Sequence, residues 1–370
     1  MEERKEYRLG ELLTIKYGKD HKKLHNGSIP AYGSGGIMRY VDKSIYEYPS
    51  ILIPRKGSLN NIIYIDTPFW TVDTMFWTII NTELVDPKYL YYAICKFDFA
   101  GLNVGSAVPS LTVPVIENIK IILPSLNQQK NIASILSSLD DKIKLNRRIN
   151  ENLEQQAQAL FDFHFIQHPE KLGSYERGSL IDIANYINGL AMQKFRPQIE
   201  EKGIPVLKIK ELGQGRTDSS SDICSENISK DYIINDGDVI FSWSGTLMVN
   251  IWCGGLCGLN QHLFKVTSDK YPKWFYYFWT KYHLGKFIRI AKDKAVTMGH
   301  IKRGDLEKSE VLIPEIETLS KLDEIISPIL NQIIGIKCEN RNLENLRDTL
   351  LPKLMSGEIK LSEIETKLDE

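Results

Sequence analysis

The feature that most constrains the fold is an internal repeat that ends each half of the chain in a long amphipathic helix. When Pro124 is aligned with Pro314, 190 residues later, the apolar positions that follow match without a gap. They recur in steps of four and three residues, the spacing of a helix that buries one stripe against a partner. The stripe consists of Ile132, Leu136, Leu139, Ile143, Asn146, Asn150, Leu153, Ala157 and Leu160 in the first helix, and of Leu322, Ile326, Ile329, Ile333, Ile336, Asn340, Leu343, Arg347 and Leu350 in the second.

Each stripe predicts a helix of about 30 residues, or roughly 45 Å at 1.5 Å per residue. The prolines end the strand that precedes each helix. In the second helix the regular pattern is predicted to end at Leu351-Pro352, with Gly357 as a terminator. A helix with such a stripe has to bury it, and its own copy is the obvious partner. We therefore predict that the two helices pack as an antiparallel coiled coil.

The segments before each helix repeat more loosely. The stretch Ile51–Leu59 parallels Val239–Leu247, and Asp86–Tyr92 parallels Tyr271–Tyr277. Each segment combines short β-rich runs, glycine turns and one aromatic helix, which is interpreted as core. A chain of 370 residues is long for one domain. The predicted fold class is α+β, with two globular α+β domains separated by two long helices and related by pseudo-two-fold symmetry.

The domain boundaries follow from this alternation. We predict globular domains at residues 1–122 and 164–312, long helices at 123–163 and 313–358, and a charged tail at 359–370. The stretch Phe161–Ser174 is interpreted as the linker between the halves.

Composition narrows the class of protein. The formal net charge of −1 is not that of a strongly basic protein, although a basic face can be offset by acids elsewhere. Five irregularly spaced cysteines argue against a disulfide framework. No apolar stretch approaches the roughly 18 uncharged residues of a membrane span, and the N-terminus lacks a signal-peptide core. We expect a soluble, cytoplasmic protein.

The proposed architecture places two unlike domains at opposite ends of a stiff rod. Such a protein fits a ligand with two sites at fixed spacing, and successive major-groove faces of DNA lie about 34 Å apart. A split, asymmetric DNA target follows as a hypothesis. The alternatives are an oligomerising coiled coil, a scaffold that presents two ligand-binding domains not specific for DNA, and an enzyme with an unrecognised site.

The order of these elements, twice over, resembles the specificity subunits of type I restriction–modification systems. The resemblance rests on IPAYGSGGIMRYVDKSIYEYPSILIPRKGSLNNI, TPFWTVDTMFWTI, DPKYLYYAI, VGSAVPSLTV and IKIILPSLNQQKNIASILSSLDDKI in the first half, and on VTMGHIKRGDLEKSEVLIP and LLPKLMSGEI in the second. Pro54 departs from the family, which more often has a small residue or glycine there. The second domain matches only at its ends and at VIFSWSG.

The resemblance implies that each globular domain is a target recognition domain for one half of a bipartite DNA sequence. It implies that the helices are spacers that set the distance between half-sites and dock two methyltransferase subunits, which the restriction subunits then join. It also implies a non-catalytic subunit that binds no cofactor, with S-adenosylmethionine, ATP and Mg on the partner subunits.

Two stretches of the first domain are candidates for DNA contact. Gly18–Ser28 is a basic, turn-like loop whose cations can neutralise phosphates. In Pro54–Asn61, arginine suits guanine and asparagine suits adenine. The alternatives are a solvated loop and a hairpin turn, respectively. Tyr32–Ile37, YGSGGI, lacks the ending of a phosphate loop and is interpreted as a turn that approaches DNA. The candidates are Lys19, Lys22, Lys23, Arg55, Lys56, Ser58, Asn60 and Asn61.

In the second domain the residues equivalent to the Arg55 region carry no charge. The candidates there are Lys194, Arg196, Lys208, Lys210, Arg216, Ser244 and Thr246. Cys253, Cys257 and His262 form a Cys-x₃-Cys…His cluster, but structural zinc normally takes four ligands, and no metal site is predicted.

Four polar residues occupy stripe positions and are predicted to dock partner helices: Asn146, Asn150, Asn340 and Arg347. A buried asparagine can fix register, or it can mark a place where a partner helix inserts. Leucine at both 150 and 340 is expected to stabilise the free subunit and weaken its assembly. No catalytic set is evident, because a methyltransferase Asn/Asp-Pro-Pro-Tyr/Phe motif and a Walker lysine are missing, and Glu365-Thr366-Lys367 lacks an upstream acid.

Overall fold

The computed structural model describes residues 4–105, 108–293 and 300–359. The chain divides into two compact units: one takes in the chain up to Asp141 together with the chain from Asn345 onward, and the other is Lys142–Glu344. Parts of the motifs VGSAVPSLTV and VTMGH, the predicted tail beyond residue 359, and the sequence Glu365-Thr366-Lys367 lie outside the described residues.

The first unit combines short strands with the beginning of a long helix. Its strands are β1 (Lys5–Arg8), β2 (Leu13–Tyr17), β3 (Ile29–Gly33), β4 (Gly36–Val41), β5 (Ser50–Pro54), β6 (Ile63–Ile65), β7 (Trp70–Thr71), β8 (Met75–Ile80) and β9 (Lys120–Leu123). Its helices are α1 (Leu9–Leu12), α2 (Pro87–Ile94), α3 (Val113–Glu117) and the first part of α4 (Leu126–Phe161). The sheets have the orders β2-β8-β5-β6 and β4-β3-β7, and β1 pairs with β9.

The second unit contains the rest of α4 and a second set of strands. These are β10 (Tyr175–Ser179), β11 (Asn185–Asn188), β12 (Ile204–Leu207), β13 (Ile223–Cys224), β14 (Ile233–Ile234), β15 (Val239–Ser242), β16 (Met248–Ile251), β17 (Cys257–Leu259), β18 (Leu263–Thr267) and β19 (Glu310–Pro314). Its helices are α5 (Leu180–Ile183), α6 (Ile209–Gln214), α7 (Lys273–Asp293), α8 (Arg303–Glu307) and most of α9 (Ile316–Ser356). The sheets have the orders β11-β18-β15-β16 and β13-β12-β17-β14, and β10 pairs with β19.

The two units share one topology. The order β11-β18-β15-β16 repeats β2-β8-β5-β6, and β13-β12-β17 repeats β4-β3-β7, with β14 added at one edge. The aligned stretches Ile51–Leu59 and Val239–Leu247 begin in the equivalent strands β5 and β15. The α+β class, the two repeated domains and the two long helices are therefore confirmed.

Each unit buries its own apolar core. In the first unit Phe76, Tyr89 and Phe99 are at most 1% exposed, and in the second Phe241 and Trp274 are fully buried. Tyr89 lies on α2 and Trp274 on α7, so both aromatic helices supply core residues, as predicted.

The long helices exceed the predicted length, at 36 residues for α4 and 41 for α9. Every matched stripe position in both helices is buried or half-buried, as the period requires. Helix α9 continues through Pro352 to Ser356, and Gly357, with a φ of +77°, follows it as a terminator. Within the described ranges, no helix is long and apolar enough to cross a membrane.

Both ends of each stripe are buried against a globular core. In the first unit Leu136 of α4 shares a core with Leu354, near the end of α9. In the second unit Ile326 of α9 shares a core with Ala157 and Phe161, at the end of α4. The repeating apolar stripe therefore reflects burial against the globular cores as well as burial against the other helix.

The middle of each helix contacts the other helix through polar side chains. Within the second unit Asn146 contacts Asn340, and Glu154 of α4 pairs with Lys337 of α9. Residue numbers rise along α4 while their partners' numbers fall along α9, so the two helices are antiparallel, as predicted.

The stretch interpreted as a linker, Phe161–Ser174, was wrongly assigned. The chain continues from α4 into a π-helical turn at Asp162–Gln167 and a 3₁₀ turn at Pro169–Leu172. Phe161, Phe165 and Leu172 are at most 2% exposed in the core of the second unit. The segment is part of that core because its aromatic side chains are too apolar to remain in water.

Candidate nucleic-acid interface

The loop after β2 is held in place by backbone hydrogen bonds, and its lysine side chains are exposed. The Gly18 N–H donates to the Met75 carbonyl at 3.0 Å, and the Lys19 N–H donates to the Thr71 carbonyl at 2.9 Å. A Cβ at Gly18 would lie 1.9 Å from the carbonyl oxygen of Val72, so only glycine fits there. Lys19 itself is exposed.

The same loop presents Lys22 and Lys23 on a tight turn. The Lys22 N–H donates to the Asp20 carboxylate at 3.0 Å, and this hydrogen bond lowers the pKa of Asp20. Both lysines are exposed. The loop is fixed by backbone hydrogen bonds, and contact of Lys22 and Lys23 with phosphates stays a prediction.

Arg39 of β4 is a residue that the sequence analysis missed. Its guanidinium donates to the Leu24 carbonyl at 3.1 Å and to the Asn26 side chain at 2.9 Å. It thereby ties the basic loop to the edge of the β4-β3-β7 sheet. Its position beside the YGSGGI turn was the only available signal, and that signal did not point to the loop.

The stretch that follows β5 turns back against the segment before β8. The N–H groups of Arg55 and Lys56 both donate to the Thr74 carbonyl. The Arg55 guanidinium donates to the Asp73 carbonyl at 3.1 Å and lies 5.5 Å from the ring centroid of Tyr17. Arg55 is half-buried, whereas Lys56 and Ser58 are exposed. Of the two cations in this turn, Lys56 is therefore the more exposed to solvent.

The two asparagines of this stretch already have partners inside the unit. The Asn60 amide donates to the Asp98 carboxylate at 3.2 Å, and its oxygen accepts the Ala100 N–H at 3.0 Å. The Asn61 amide donates to the Ser34 carbonyl at 2.8 Å. Both amides hold the loop in shape, and base contact by either remains a prediction that requires these bonds to be exchanged.

The structure brings the two basic stretches together around the β3–β4 hairpin. Arg39 holds one stretch and Asn61 holds the other, at the strand and at the tip of the same hairpin. Between Lys16 and Asn61 the sequence has eight Lys and Arg and three Asp and Glu. That local excess of positive charge, hidden in a net charge of −1, is the electrostatic pattern of a nucleic-acid interface.

In the second unit, two of the predicted cations are paired with acids. The Lys208 ammonium lies 2.5 Å from the Asp222 carboxylate, and Lys210 donates to Ser220 at 2.8 Å and reaches Asp218 at 3.5 Å. The hydrogen bond from Lys208 lowers the pKa of Asp222. Both lysines are therefore less available to phosphates than Lys22 or Lys23, and their contact with DNA stays a prediction.

The other basic candidates of the second unit are exposed. Lys194 and Arg196 lie in and just after a 3₁₀ turn, and Arg196 lines a cavity of about 300 Å³ with Gln193 and Asp222. Arg216 follows α6 and lines a different cleft, of about 440 Å³. The structure therefore separates these three cations into two groups.

The turn after β15 is the counterpart of the Arg55 turn, and it has a different character. Ser244 is 6% exposed, and its hydroxyl is hydrogen-bonded to the His262 ring at 3.0 Å. The Trp243 indole donates to the Asn188 side chain at 3.0 Å. Thr246 is exposed beside Gly245. Of the two hydroxyl candidates, Thr246 is therefore the accessible one.

The helix crossing contains a hydrogen-bonded asparagine pair. The Asn146 amide donates to the Asn340 oxygen at 2.9 Å and to Glu339 at 2.9 Å, and the Asn340 amide reaches the Ile143 carbonyl at 3.5 Å. Asn146 and Asn340 are 1% and 8% exposed. Docking of a partner helix on these two side chains remains a prediction, and it would require α4 and α9 to part.

Asn150, one turn beyond Asn146, is placed differently. Its Oδ1 is buried and has no donor within the described part of the chain. The antiparallel register that pairs Asn146 with Asn340 sets Asn150 level with Ile336, which is apolar. Asn150 also lines the 440 Å³ cleft that Arg216 borders.

Arg347 is held by ion pairs within the first unit. Its guanidinium donates to Asp140 at 2.7 Å and to Asp348 at 2.7 Å. Burial opposes its charge, but the hydrogen bonds to these two carboxylates, together with their negative charges, raise the pKa of Arg347. Partner docking through Arg347 also remains a prediction.

The cysteines of the second unit do not form part of a metal centre among the described residues. Over residues 4–105, 108–293 and 300–359, the structure gathers no group of three or more His, Cys, Asp or Glu that could hold a metal ion. Cys253 and Cys257 are buried, and desolvation raises the pKa of each thiol to about 12. Both are inert thiols in packed surroundings.

Comparison with known proteins gives one consistent result. The family model for the type I restriction modification DNA specificity domain matches the chain twice, at residues 1–155 and 174–347. The type I restriction enzyme MjaIX specificity subunit of Methanocaldococcus jannaschii is 28% identical over 369 residues, covering 90% of this chain and 84% of that protein. The HindI specificity subunit of Haemophilus influenzae is 20% identical over 362 residues, covering 75% of this chain and 79% of that protein. A type I restriction-modification S subunit from M. genitalium has the same fold, with a TM-score of 0.65 at 17% identity over 95% of this chain and 96% of that chain.

Proposed function

Because the chain belongs to the family of type I restriction–modification specificity subunits, we propose that it recognises a bipartite, asymmetric DNA target and carries partner enzymes to it. Each unit would read one half-site through its own loops. The antiparallel helices α4 and α9 would set the spacing between the half-sites.

One observation carries this proposal: a single topology occurs twice with unlike surfaces. The sheet orders of the two units match, except that β14 is added at one edge in the second unit. The turn after β5 carries Arg55 and Lys56, whereas the equivalent turn after β15 carries Trp243 and a buried Ser244. Two copies of one scaffold with different side chains at the same place are what two different half-sites require.

The electrostatics of the first unit favour DNA as the ligand. Lys19, Lys22, Lys23 and Lys56 are exposed around one hairpin. Several phosphates can be neutralised by such a cluster, with affinity that falls steeply as salt rises. A scaffold for ligands other than DNA has no need of this cluster.

Catalysis in the proposed assembly belongs to the partners. Two methyltransferase subunits would bind S-adenosylmethionine, and the restriction subunits would use ATP and Mg. The specificity subunit would contribute the target sequence and the geometry. It would not contribute a reacting group.

We place methyltransferase docking at the middle of the long helices. There the helices contact each other through charged and amide side chains such as Glu339 and Asn146. Asn150 has a buried acceptor for which the described residues supply no donor. A helix from a partner that donates to Asn150 would satisfy it. Polar seams of this kind fix register and partner choice in helix packing.

The test is selection from random duplex DNA. The subunit, assembled with the methyltransferase from the same system, is passed over a random pool, and the bound duplexes are sequenced. We expect one enriched motif made of two unlike half-sites at a fixed spacing. The methyltransferase alone is the control, and it should enrich no such motif.

Two results would contradict the proposal. Failure of the assembled complex to enrich any sequence would favour a scaffold that is not specific for DNA. Enrichment of two identical half-sites would contradict the unlike surfaces of the two units. Salt dependence alone does not discriminate, since non-specific binding has it too.

A further inference from the structure

The β3–β4 hairpin carries apolar side chains in the middle of the basic surface. Ile37, Met38 and Tyr40 are 51%, 57% and 52% exposed. Single exposed apolar residues are common, but three on one short strand mark an interaction surface. The local charge and the local apolar character therefore have to be explained together.

A β-bulge between Ile37 and Arg39 interrupts the alternation of these side chains. Tyr32 of β3 pairs with Ile37 and Ala31 pairs with Arg39, so Met38 is the extra residue of β4. Beyond the bulge the alternation resumes, with Tyr40 outward and Arg39 turned to the Leu24 carbonyl. Bulges re-aim side chains in this way next to functional sites.

The tip of the hairpin is narrow. A Cβ at Gly33 would lie 2.6 Å from the sulfur of Met38, so the glycine makes room for that side chain. Gly36 has a φ of +112°, which favours glycine. A Cβ at Gly35 would meet no atom of the described residues within 4 Å, so that part of the chain gives no steric reason for glycine at this position. Three of the four tip residues, Gly33–Gly36, are glycine, which allows the backbone to approach a ligand closely.

The surroundings of the tip identify the ligand as DNA. The Asn61 amide bonds the Ser34 carbonyl at the tip, which fixes the Lys56 turn on one side, and Arg39 fixes the Lys22 loop along the strand. Apolar groups on the partner have to meet Ile37 and Met38, while anions have to meet the lysines around them. Stacked bases inside a phosphate backbone provide both, whereas an apolar protein surface would leave the lysines without counter-charges.

Resting on the DNA-binding function proposed above, we propose that Ile37 and Met38 form an apolar wedge. The hairpin tip enters the minor groove of the half-site read by the first unit, and the two side chains partly unstack one base step and bend the duplex. Isoleucine and methionine are among the residues that other proteins insert between base steps. The half-site would then be selected in part by how easily that step deforms.

The test uses the assembled complex on its enriched duplex, with 2-aminopurine replacing each adenine in turn and dyes at the two ends. Wild type should raise 2-aminopurine fluorescence at one step and raise energy transfer between the ends. The double variant Ile37→Ser/Met38→Ser should lose both signals. Its affinity for the duplex should fall by only about tenfold or less, because it loses the apolar contact but no longer has to unstack a base step. Met38→Gln, which keeps the length of the side chain, should lose most of the fluorescence signal. The melting temperature reports whether each variant is folded.

Ile122→Ser is the matched control, since Ile122 is 54% exposed on β9, which does not belong to the hairpin sheet. It should leave both signals unchanged. The wedge is refuted if wild type binds its duplex without either signal, or if the double variant keeps both. Loss of assembly with the methyltransferase in the double variant would also refute it, because the hairpin would then be a protein contact. Wild type that binds no duplex at all refutes the proposed function as well.

Discussion

Two asparagines one helical turn apart should respond in opposite ways to the same substitution. Asn146 is buried and donates to Asn340 and Glu339. Asn150 is also buried, but its Oδ1 lacks a donor among the described residues. Leucine at 150 removes an unpaired acceptor, whereas leucine at 146 removes the donor of two hydrogen bonds and leaves the Asn340 oxygen without a partner.

The magnitudes follow from the cost of a buried group left unpaired, which is about 1–3 kcal/mol. We expect Asn150→Leu to raise the free energy of unfolding by about 1–3 kcal/mol and Asn146→Leu to lower it by a similar amount. The higher helix propensity of leucine is common to both variants and cancels in the comparison. Asn150 lines a cleft of about 440 Å³, so the larger side chain has room. The expectation from sequence, that leucine stabilises at both 150 and 340, therefore no longer holds for Asn340, whose oxygen accepts from Asn146.

Thermal unfolding followed by tryptophan fluorescence measures the effect. Trp243, Trp252, Trp274 and Trp279 all lie in the second unit, as both asparagines do. A change of 1 kcal/mol shifts the midpoint by about 2–4 °C for a domain of this size. Midpoints that move in the same direction in the two variants would refute the reasoning, because the environments of the two amides would then be equivalent.

Three further predictions concern charge, packing and pH. Lys22→Ala should weaken DNA binding and reduce the slope of log affinity against log salt concentration by about one. Lys208→Ala should change that slope less, because the Lys208 ammonium is already held by a carboxylate. Titration of DNA binding at several salt concentrations measures both slopes. Gly18→Ala should lower the free energy of unfolding of the first unit by at least about 1–3 kcal/mol, since its Cβ would lie 1.9 Å from a backbone oxygen. Gly35→Ala should change that free energy by no more than about 0.5 kcal/mol in the same unfolding experiment. Burial opposes the charge on Asp236, but hydrogen bonds from the Arg341 guanidinium on α9 and from the Gly255 N–H lower the pKa of Asp236 below the ordinary 3.8. Its contribution to stability is therefore present above about pH 4 and lost as pH falls through the lowered pKa, and Asp236→Asn should remove that part of an acid-unfolding curve.

The long helices could be predicted from sequence because periodicity alone fixes which face is buried. The matched positions at Ile132, Ile326 and their neighbours are all buried or half-buried. Periodicity does not specify which part of the protein packs against that face. Leu136 and Ile326 lie in globular cores, and the contact between helices is concentrated at the polar middle.

The candidate site was less predictable, because contacts between distant residues decide which side chains are free. Lys208 and Lys22 look alike in the sequence, but Asp222 is brought to Lys208 by the pairing of β12 with β13. Arg39 was missed since its role depends on a loop fifteen residues away. Phe165 was assigned to a linker because its segment lies between the two halves of the repeat, although the fold buries it.

The central claim is that each unit reads its own half of the target, and a footprint on the enriched duplex tests it most directly. One variant combines Lys19→Ala, Lys22→Ala, Lys23→Ala and Lys56→Ala in the first unit, and its counterpart combines Lys194→Ala and Arg196→Ala in the second. At protein concentrations that maintain binding, we predict that the first variant loses protection over one half-site and the second over the other. Equal loss over both half-sites in either variant, or loss over the same half-site in both, would contradict the account.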